Sequence, residues 1–139
     1  MRVSRNQIIW GGNYFELPPC RCFVSWDKLQ PWENFSQAEF AWTSFDKPAK
    51  VFRHTSRIKG RIHPTQKPVE LYEYLLRTFG NGGGKIFDPM MGSGSSRIAA
   101  YKMGYDYFGC ELDLDYFRKS CEWYDSVVST DNQQLKLKF

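Results

Sequence analysis

The chain has 139 residues, a formal net charge of +4, and a composition that is 42% apolar and 17% aromatic. A chain of this length predicts one small domain, and its apolar content is ample for a single folded core. No apolar run approaches the roughly 18 residues that a membrane-spanning helix needs, and no signal peptide follows Met1, so we expect a cytoplasmic protein without a membrane partner.

The first part of the chain contains candidate strands separated by loops. Residues 7–10 (Gln-Ile-Ile-Trp) and 22–26 (Cys-Phe-Val-Ser-Trp) each predict a strand. The aromatic stretch at 34–42 predicts a short helix followed by a strand, and the alternating residues 49–53 predict another strand. A basic loop is expected over residues 54–62.

From Pro68 onward, helices alternate with strands. We predict a helix over 68–79, with Pro68 in its first turn, because apolar residues recur there at helical spacing. A strand over 85–88 follows, and then a helix over 95–103 that Ser95 or Ser96 caps.

The remaining elements complete a predicted parallel sheet. A strand over 107–110 precedes an amphipathic helix that begins at Asp113 or Asp115 and ends near Val128. Strands that alternate with helices indicate a doubly wound α/β fold, whose right-handed crossovers bring the carboxyl ends of the strands together. We therefore expect one domain over residues 1–128 and a C-terminal tail over 129–139.

A basic segment (residues 47–67) contains no acidic residue. Its cationic and histidine residues are Lys47, Lys50, Arg53, His54, Arg57, Lys59, Arg61, His63 and Lys67. Such a stretch suits a phosphate backbone. A solvated loop has the same composition, and composition alone does not separate the two interpretations.

The four cysteines do not suggest a metal site. Cys20 and Cys22 form a Cys-x-Cys pair, and Cys110 and Cys121 lie far along the chain. This spacing is not that of a usual zinc site, so we predict free thiols in a reducing compartment.

A glycine turn and a later acid form the most informative pattern. Residues 87–96 read Phe-Asp-Pro-Met-Met-Gly-Ser-Gly-Ser-Ser, and such glycines let backbone N–H groups approach a ligand. Glu111 lies 19 residues after Gly92, at the end of a predicted strand. In nucleotide-binding βαβ units, an acid about 20 residues past the turn accepts hydrogen bonds from ribose hydroxyls.

The details of that turn favour one ligand class. There is no third glycine, and Asp88-Pro89 precedes the turn, so an NAD site fits poorly and the adenosyl group of S-adenosylmethionine fits better. A plain loop is the alternative for this motif taken by itself.

A third motif, His-Pro-Thr-Gln-Lys-Pro at residues 63–68, makes the resemblance specific. The third motif stands first in the chain, Asp-Pro-x-x-Gly-Ser-Gly-Ser-Ser at residues 88–96 follows it, and Gly-Cys-Glu at residues 109–111 comes last. This order resembles the C-terminal half of the β class of amino-group DNA methyltransferases, which methylate N6 of adenine or N4 of cytosine. Residues 6–15 and 38–42 are also similar to segments that follow the catalytic motif in that family. The resemblance implies a Rossmann-like fold with a doubly wound, mostly parallel sheet that is incomplete at the N-terminus, and DNA methylation of the restriction-modification kind.

The resemblance also implies a set of site residues. Asp88 would lie near the amino group of the cofactor's methionine, Glu111 would hold its ribose, and Lys67 would be available for its carboxylate. The implied S-adenosylmethionine-binding residues are Thr65, Gln66, Lys67, Asp88, Pro89, Gly92, Ser93, Gly94 and Glu111. Double-stranded DNA would contact the basic segment, where the family carries its target-recognition segment, through Lys50, Arg53, Arg57, Lys59 and Arg61.

The family's catalytic tetrapeptide, Asp/Asn/Ser-Pro-Pro-Tyr/Phe, does not occur in these 139 residues. The Pro-Pro pair in Leu17-Pro18-Pro19-Cys20 has neither the polar nor the aromatic residue, and we interpret it as a loop. In the resembled fold the tetrapeptide follows a strand beside residues 85–88. We therefore expect no catalytic residue here, and completion of the sheet by an N-terminal segment, a partner chain or a homodimer.

Three functional hypotheses follow. The first is a DNA methyltransferase whose activity in this chain alone is doubtful. The second is a remnant that binds S-adenosylmethionine or DNA without catalysis, or one half of a split enzyme. The third is an unrelated nucleotide-binding protein, which the His-Pro-Thr-Gln-Lys-Pro motif disfavours.

Overall fold

The structure is a computed structural model that describes residues 3–136. The chain divides into two compact units, of which the first ends at Arg57 and the second begins at Ile58. This division falls inside the basic segment, and the single-domain expectation stays a prediction. None of the helices in the described residues combines the length and apolar character that crossing a bilayer requires.

The first unit is a four-stranded mixed sheet. Its strands are β1 (Ile8–Trp10), β2 (Phe23–Asp27), β3 (Ala38–Thr43) and β4 (Lys50–Arg53), in the order β1-β3-β2-β4. β3 runs antiparallel to both β1 and β2, whereas β4 is parallel to β2. The four predicted strands are therefore confirmed to within a residue or two at most ends.

One face of this sheet forms the core of the first unit. Val24 and Trp26 alternate along β2 toward the buried side, where Ala41 and Thr43 of β3 join them. The indole N–H of Trp26 donates to the carbonyl of His54 at 2.8 Å, so the large buried ring has no unsatisfied polar atom.

The short helix predicted within residues 34–42 is wrong. Residues 33–35 form a turn, and the chain then extends into β3. The backbone N–H of Lys28 donates to the carbonyl of Gln37 at 2.9 Å, which continues the pairing of β2 with β3 past the end of the strand. A few residues cannot offset the cost of nucleating a helix, whereas β3 gains hydrogen bonds along both edges.

The second unit alternates helices with strands, as predicted. Its elements are α1 (Val69–Phe79), β5 (Lys85–Asp88), α2 (Ser95–Lys102), β6 (Asp106–Gly109) and α3 (Leu114–Lys136). β5 and β6 are parallel, with Asp88 opposite Gly109. Leu71, Leu75 and Phe79 of α1 are buried, as are Ile98, Ala99 and Ala100 of α2.

Two helix boundaries differ from the predictions. Pro68 has extended backbone angles and occupies the N-cap position of α1 rather than its first turn. α3 does not end near Val128 but continues to Lys136, so the predicted tail is helical as far as that residue, and residues 137–139 lie outside the described chain. Residues 129–136 contain no glycine or proline that would end a helix, and Thr130 Oγ1 donates to the carbonyl of Ser126, one turn earlier, at 2.8 Å.

The sheet of the second unit has two strands among the described residues, β5 and β6. Parallel sheets normally have both faces covered and further strands on either side. Here the rings of Phe87 and Phe108 pack together at 5.8 Å, and these residues are 45% and 66% exposed. The pair therefore presents an apolar surface beside the ends of the strands.

Candidate functional site

The glycine turn leaves the carboxyl end of β5 and leads into α2. Gly92 and Gly94 have φ angles of +54° and +79°, a region in which side chains with a Cβ are strained. A Cβ on Gly94 would also lie 3.2 Å from the Cβ of Ser120 in α3. The two glycines thus allow both the sharp turn and the close approach of α3.

The prediction that Ser95 or Ser96 caps α2 is wrong. Gly94 occupies the N-cap position, and no side chain caps the helix. The left-handed turn places both serines inside the first turn of α2, where their hydroxyls make other contacts. Ser95 Oγ lies 2.9 Å from the hydroxyl of Ser93, and the side chains of Ser93, Ser95 and Ser96 are all buried.

Glu111 lies directly against the glycine turn. Its Oε2 accepts a hydrogen bond from the backbone N–H of Gly92 at 2.9 Å, and its Oε1 accepts one from the N–H of Asp113 at 3.0 Å. The parallel pairing of β5 and β6 explains this meeting, because both chains leave the same edge of the sheet. A carboxylate and a glycine turn that are 19 residues apart in sequence therefore form one site.

Asp88, the last residue of β5, has a partner for each carboxylate oxygen. Its Oδ1 accepts the backbone N–H of Met90 at 3.2 Å, and its Oδ2 accepts the hydroxyl of Ser96 at 2.6 Å. Pro89, between Asp88 and the turn, is exposed. The site thus contains two half-buried carboxylates, Asp88 and Glu111, at the ends of adjacent strands.

Behind Asp88 lies a residue that the sequence did not indicate, Tyr107. Its hydroxyl lies 2.9 Å from Ser96 Oγ, which in turn contacts Asp88. Burial, and then the negative charge of Asp88, raise the pKa of Tyr107 well above its usual range. The available signal was Gly109, two residues along the same face of β6, whose missing side chain leaves space for the tyrosine ring.

Residues 63–66 form a loop beside the glycine turn. The ring of His63 packs edge-on against Tyr116 at 4.4 Å, and a Cβ on Gly92 would lie 3.4 Å from the His63 ring. The backbone N–H of Thr65 donates to His63 Nδ1 at 3.2 Å. The loop therefore reaches the turn through His63, which had no predicted role of its own.

Gln66 and Lys67 have different surroundings. Gln66 is 5% exposed, and its Oε1 accepts the N–H of Ile62 at 2.8 Å, so this side chain closes the loop on itself. Lys67 is half-buried and directly precedes Pro68, the N-cap of α1. The hydrogen bond of Gln66 thus stabilises the loop internally, whereas Thr65 is exposed next to the glycine turn.

The basic segment is distributed over both units. In the first, Lys50 and Arg53 lie on the edge strand β4, and Arg53 Nε is 3.4 Å from Asp27 Oδ2 in an exposed ion pair. The guanidinium of Arg57 lies 4.9 Å from the centre of the Trp32 ring, a cation–π contact at the surface.

In the second unit, Lys59 and Arg61 are exposed. A guanidinium nitrogen of Arg61 donates to the carbonyl of Pro64 at 3.2 Å. Lys59 lines a cavity of about 320 Å³ together with Trp123 and Lys119 of α3. Of the five predicted DNA-contacting cations, Arg53, Arg57, Lys59 and Arg61 are thus exposed, whereas Lys50 is half-buried.

Comparison with known proteins identifies relatives of both the sequence and the fold. Residues 9–122 match the sequence model of a DNA methylase family, N6_N4_Mtase. The chain is 32% identical over 72 residues to the type II methyltransferase M1.MboII of Moraxella bovis, which covers 49% of this chain and 28% of that protein. It is 25% identical over 135 residues to M2.MboI of the same organism, which covers 97% of this chain and 46% of that protein.

A solved structure matches in fold. The crystal structure of the M1.HpyAVI–SAM complex superposes with a TM-score of 0.58 at 22% identity, covering 72% of this chain and 59% of that one. This likeness confirms the predicted fold class. The chain spans less than half the length of the two Moraxella relatives.

Proposed function

Because the chain belongs to the DNA methylase family that its residues 9–122 match, we propose that it binds the methyl donor of an S-adenosylmethionine-dependent DNA methyltransferase acting on N6 of adenine or N4 of cytosine. The hydrogen bond between the N–H of Gly92 and Glu111 Oε2 carries this proposal. It joins the turn and the acid of a nucleotide site at the ends of two parallel strands. An unrelated nucleotide-binding protein is no longer an alternative.

The residues of the site fit this donor by charge and shape. S-adenosylmethionine carries a sulfonium and an ammonium, and the site offers the carboxylates of Asp88 and Glu111. Gly92, at a φ of +54°, adds a stretch of backbone that no side chain of its own covers. The bound donor supplies a methyl group that the sulfonium already activates, so this part of the enzyme has to bind and orient rather than to generate a strong base.

Each site residue has a proposed task. Glu111 would exchange its bond to Gly92 for the ribose hydroxyls, and Asp88 would receive the methionine ammonium. Ser93 and Gly94 complete the turn with Pro89, while Thr65, Gln66 and Lys67 form the neighbouring loop. The Lys67 ammonium would bind the donor's carboxylate.

The substrate side is proposed to be double-stranded DNA. Lys50, Arg53 and Arg57 of the first unit and Lys59 and Arg61 of the second would contact phosphates. The exposure of all of them except the half-buried Lys50, on a segment without acidic residues, supports this role. Since Arg53 is paired with Asp27, a phosphate would compete with that carboxylate.

In the resembled family the target base is held by the tetrapeptide Asp/Asn/Ser-Pro-Pro-Tyr/Phe, a sequence that does not occur in residues 1–139. We therefore propose that a further segment or partner chain supplies the tetrapeptide and a strand that pairs with β5. The two-stranded sheet and the exposed rings of Phe87 and Phe108 support this completion. They also favour the second candidate, one half of a split methyltransferase, over an independent enzyme.

Isothermal titration calorimetry tests the donor-binding proposal. S-adenosylmethionine and S-adenosylhomocysteine are titrated into the 139-residue chain, with NAD⁺ as the control nucleotide. Saturable binding of the first two but not of NAD⁺ is expected. Absence of binding by both, or preference for NAD⁺, would contradict the proposal.

A further inference from the structure

We infer that Tyr107, acting through Ser96, is a positioning residue that fixes the Asp88 carboxylate in the orientation that receives the methionine ammonium. This role rests on the proposed function, in which Asp88 binds that ammonium. Neither Tyr107 nor Ser96 belongs to the set of site residues that the sequence predicted.

The hydrogen-bond directions follow from counting protons. Ser96 Oγ donates its single proton to Asp88 Oδ2 at 2.6 Å. The 2.9 Å contact between Ser96 Oγ and the Tyr107 hydroxyl must then be donated by the tyrosine. A chain of two hydroxyls therefore ends on a carboxylate, an arrangement in which each bond strengthens the next.

The position of the tyrosine ring depends on the glycine of the Gly-Cys-Glu motif. A Cβ at Gly109 would lie 2.6 Å from Cε1 of Tyr107, 2.7 Å from its hydroxyl and 2.8 Å from the sulfur of Met91. The ring thus fills the space that a side chain at 109 would need. Because residues 107 and 109 share one face of β6, any larger residue at 109 would push the hydroxyl away from Ser96.

Two further features make the network rigid and permanent. Ser96 is only 6% exposed, and the other oxygen of Asp88 accepts the N–H of Met90, so the plane of the carboxylate is fixed from both sides. Burial raises the pKa of Tyr107 further above physiological pH, so its hydroxyl is protonated and can donate. Without this chain of hydroxyls, the N–H of Met90 would hold one oxygen of Asp88, and the other oxygen would lose its hydrogen bond to Ser96.

Two ligands separate positioning of Asp88 from general stability of the site. S-adenosylhomocysteine has the amino-acid moiety that Asp88 would bind, whereas 5′-methylthioadenosine has the same nucleoside without it. Tyr107→Phe keeps the ring and removes the hydroxyl, and Ser96→Ala breaks the same chain one step closer to Asp88. Tyr101→Phe, on α2 beside Tyr124, is the matched control.

Calorimetry should show that Tyr107→Phe and Ser96→Ala each weaken S-adenosylhomocysteine binding by roughly 2- to 10-fold, the effect of one hydrogen bond. The affinity for 5′-methylthioadenosine should be unchanged, and Tyr101→Phe should alter neither ligand. The inference would be overturned if each variant lost affinity equally for both ligands, or if neither variant lost affinity for S-adenosylhomocysteine.

A measurement without ligand keeps the inference separate from the proposed function. If the wild-type chain binds neither compound, the proposed function fails. The hydrogen-bond network of Tyr107, Ser96 and Asp88 is then tested by the ¹³C resonance of the Asp88 carboxyl in the free protein. Tyr107→Phe and Ser96→Ala should each shift that resonance, and Tyr101→Phe should not. An Asp88 resonance that is the same in all variants overturns the network itself.

Discussion

The backbone N–H of Gly92 and the carboxylate of Glu111 meet at 2.9 Å, although the two residues are 19 positions apart in the chain and all of α2 lies between them. Their meeting depends on the parallel register of β5 and β6, which places the two strand ends side by side. The proposed donor site thus depends on the whole βαβ unit, and neither motif forms it alone.

Glu111→Ala should weaken S-adenosylmethionine binding by about 10- to 150-fold, because hydrogen bonds to a charged group contribute roughly 1.5–3 kcal/mol. Calorimetric titration measures the change. Asp125→Ala, an exposed acid on α3, is the control and should bind as the wild type does. An affinity that Glu111→Ala leaves intact would remove the ribose-binding role from Glu111.

Duplex DNA binding should weaken steeply with salt, by about 0.9 log unit per log unit of salt for each phosphate contact. Replacing Arg57 and Arg61 together with alanine should make this slope shallower by about 1.8. Fluorescence anisotropy over a salt series gives the slope. Arg21→Ala with Arg118→Ala removes two exposed cations outside the basic segment and should leave it unchanged. A slope that is the same in both double variants would identify the basic segment as a solvated surface.

Gly94→Ala should lower the free energy of unfolding by roughly 1–3 kcal/mol, since it combines a left-handed backbone with a 3.2 Å approach to Ser120. Gly82→Ala provides the comparison, because Gly82 has a similar φ of +75° and nothing within 4 Å of its missing Cβ. Urea denaturation should therefore show a larger loss at position 94 than at position 82. Equal losses would mean that contact with α3 does not restrict the turn.

Alkaline pH should destabilise the wild-type chain through Tyr107. The pKa of this residue is raised in the folded state, so the unfolded chain loses the proton near pH 10 while the folded chain retains it. The resulting contribution to stability is complete below about pH 10 and declines as pH rises above it. Urea denaturation gives the free energy of unfolding at pH 8.5 and pH 10.5. Its decline between these two pH values should be smaller for Tyr107→Phe than for the wild type or Tyr101→Phe. Identical declines would contradict the assignment.

The sequence predicted those parts of the site that depend on local pattern. The strand before the glycine turn, the strand before Glu111, and the turn itself follow from apolar runs, glycines and their spacing. The contacts of Ser96 were missed because a serine at a helix start usually caps it, whereas here Gly94 takes that position. Tyr107 was missed because its partners, Ser96 and Asp88, become neighbours only when α2 packs on β6.

Other differences also arise from contacts distant in sequence. Strand pairing on both sides of β3 overrides the helix that residues 34–42 suggested. The C-terminal tail was expected to begin at residue 129, yet α3 continues as far as Lys136. The hydrogen bond that Gln66 Oε1 accepts from the N–H of Ile62 within its own loop was also not predicted, and the role of Gln66 at the donor stays a prediction.

Methyl transfer tests most directly the central claim, that these residues form the donor-binding part of a DNA methyltransferase and not its base-binding part. Tritium incorporation from labelled S-adenosylmethionine into unmethylated genomic DNA is measured for the 139-residue chain alone and with a segment that carries the tetrapeptide, supplied in cis or as a separate chain. We expect no tritium incorporation by the chain alone, because aligning the reacting groups lowers the barrier by about 7–11 kcal/mol. The added segment should restore methyl transfer, and Glu111→Ala should reduce the restored transfer. Robust incorporation by the chain alone would contradict the claim, and the loop Leu17-Pro18-Pro19-Cys20 would be the first place to search for the missing catalytic group.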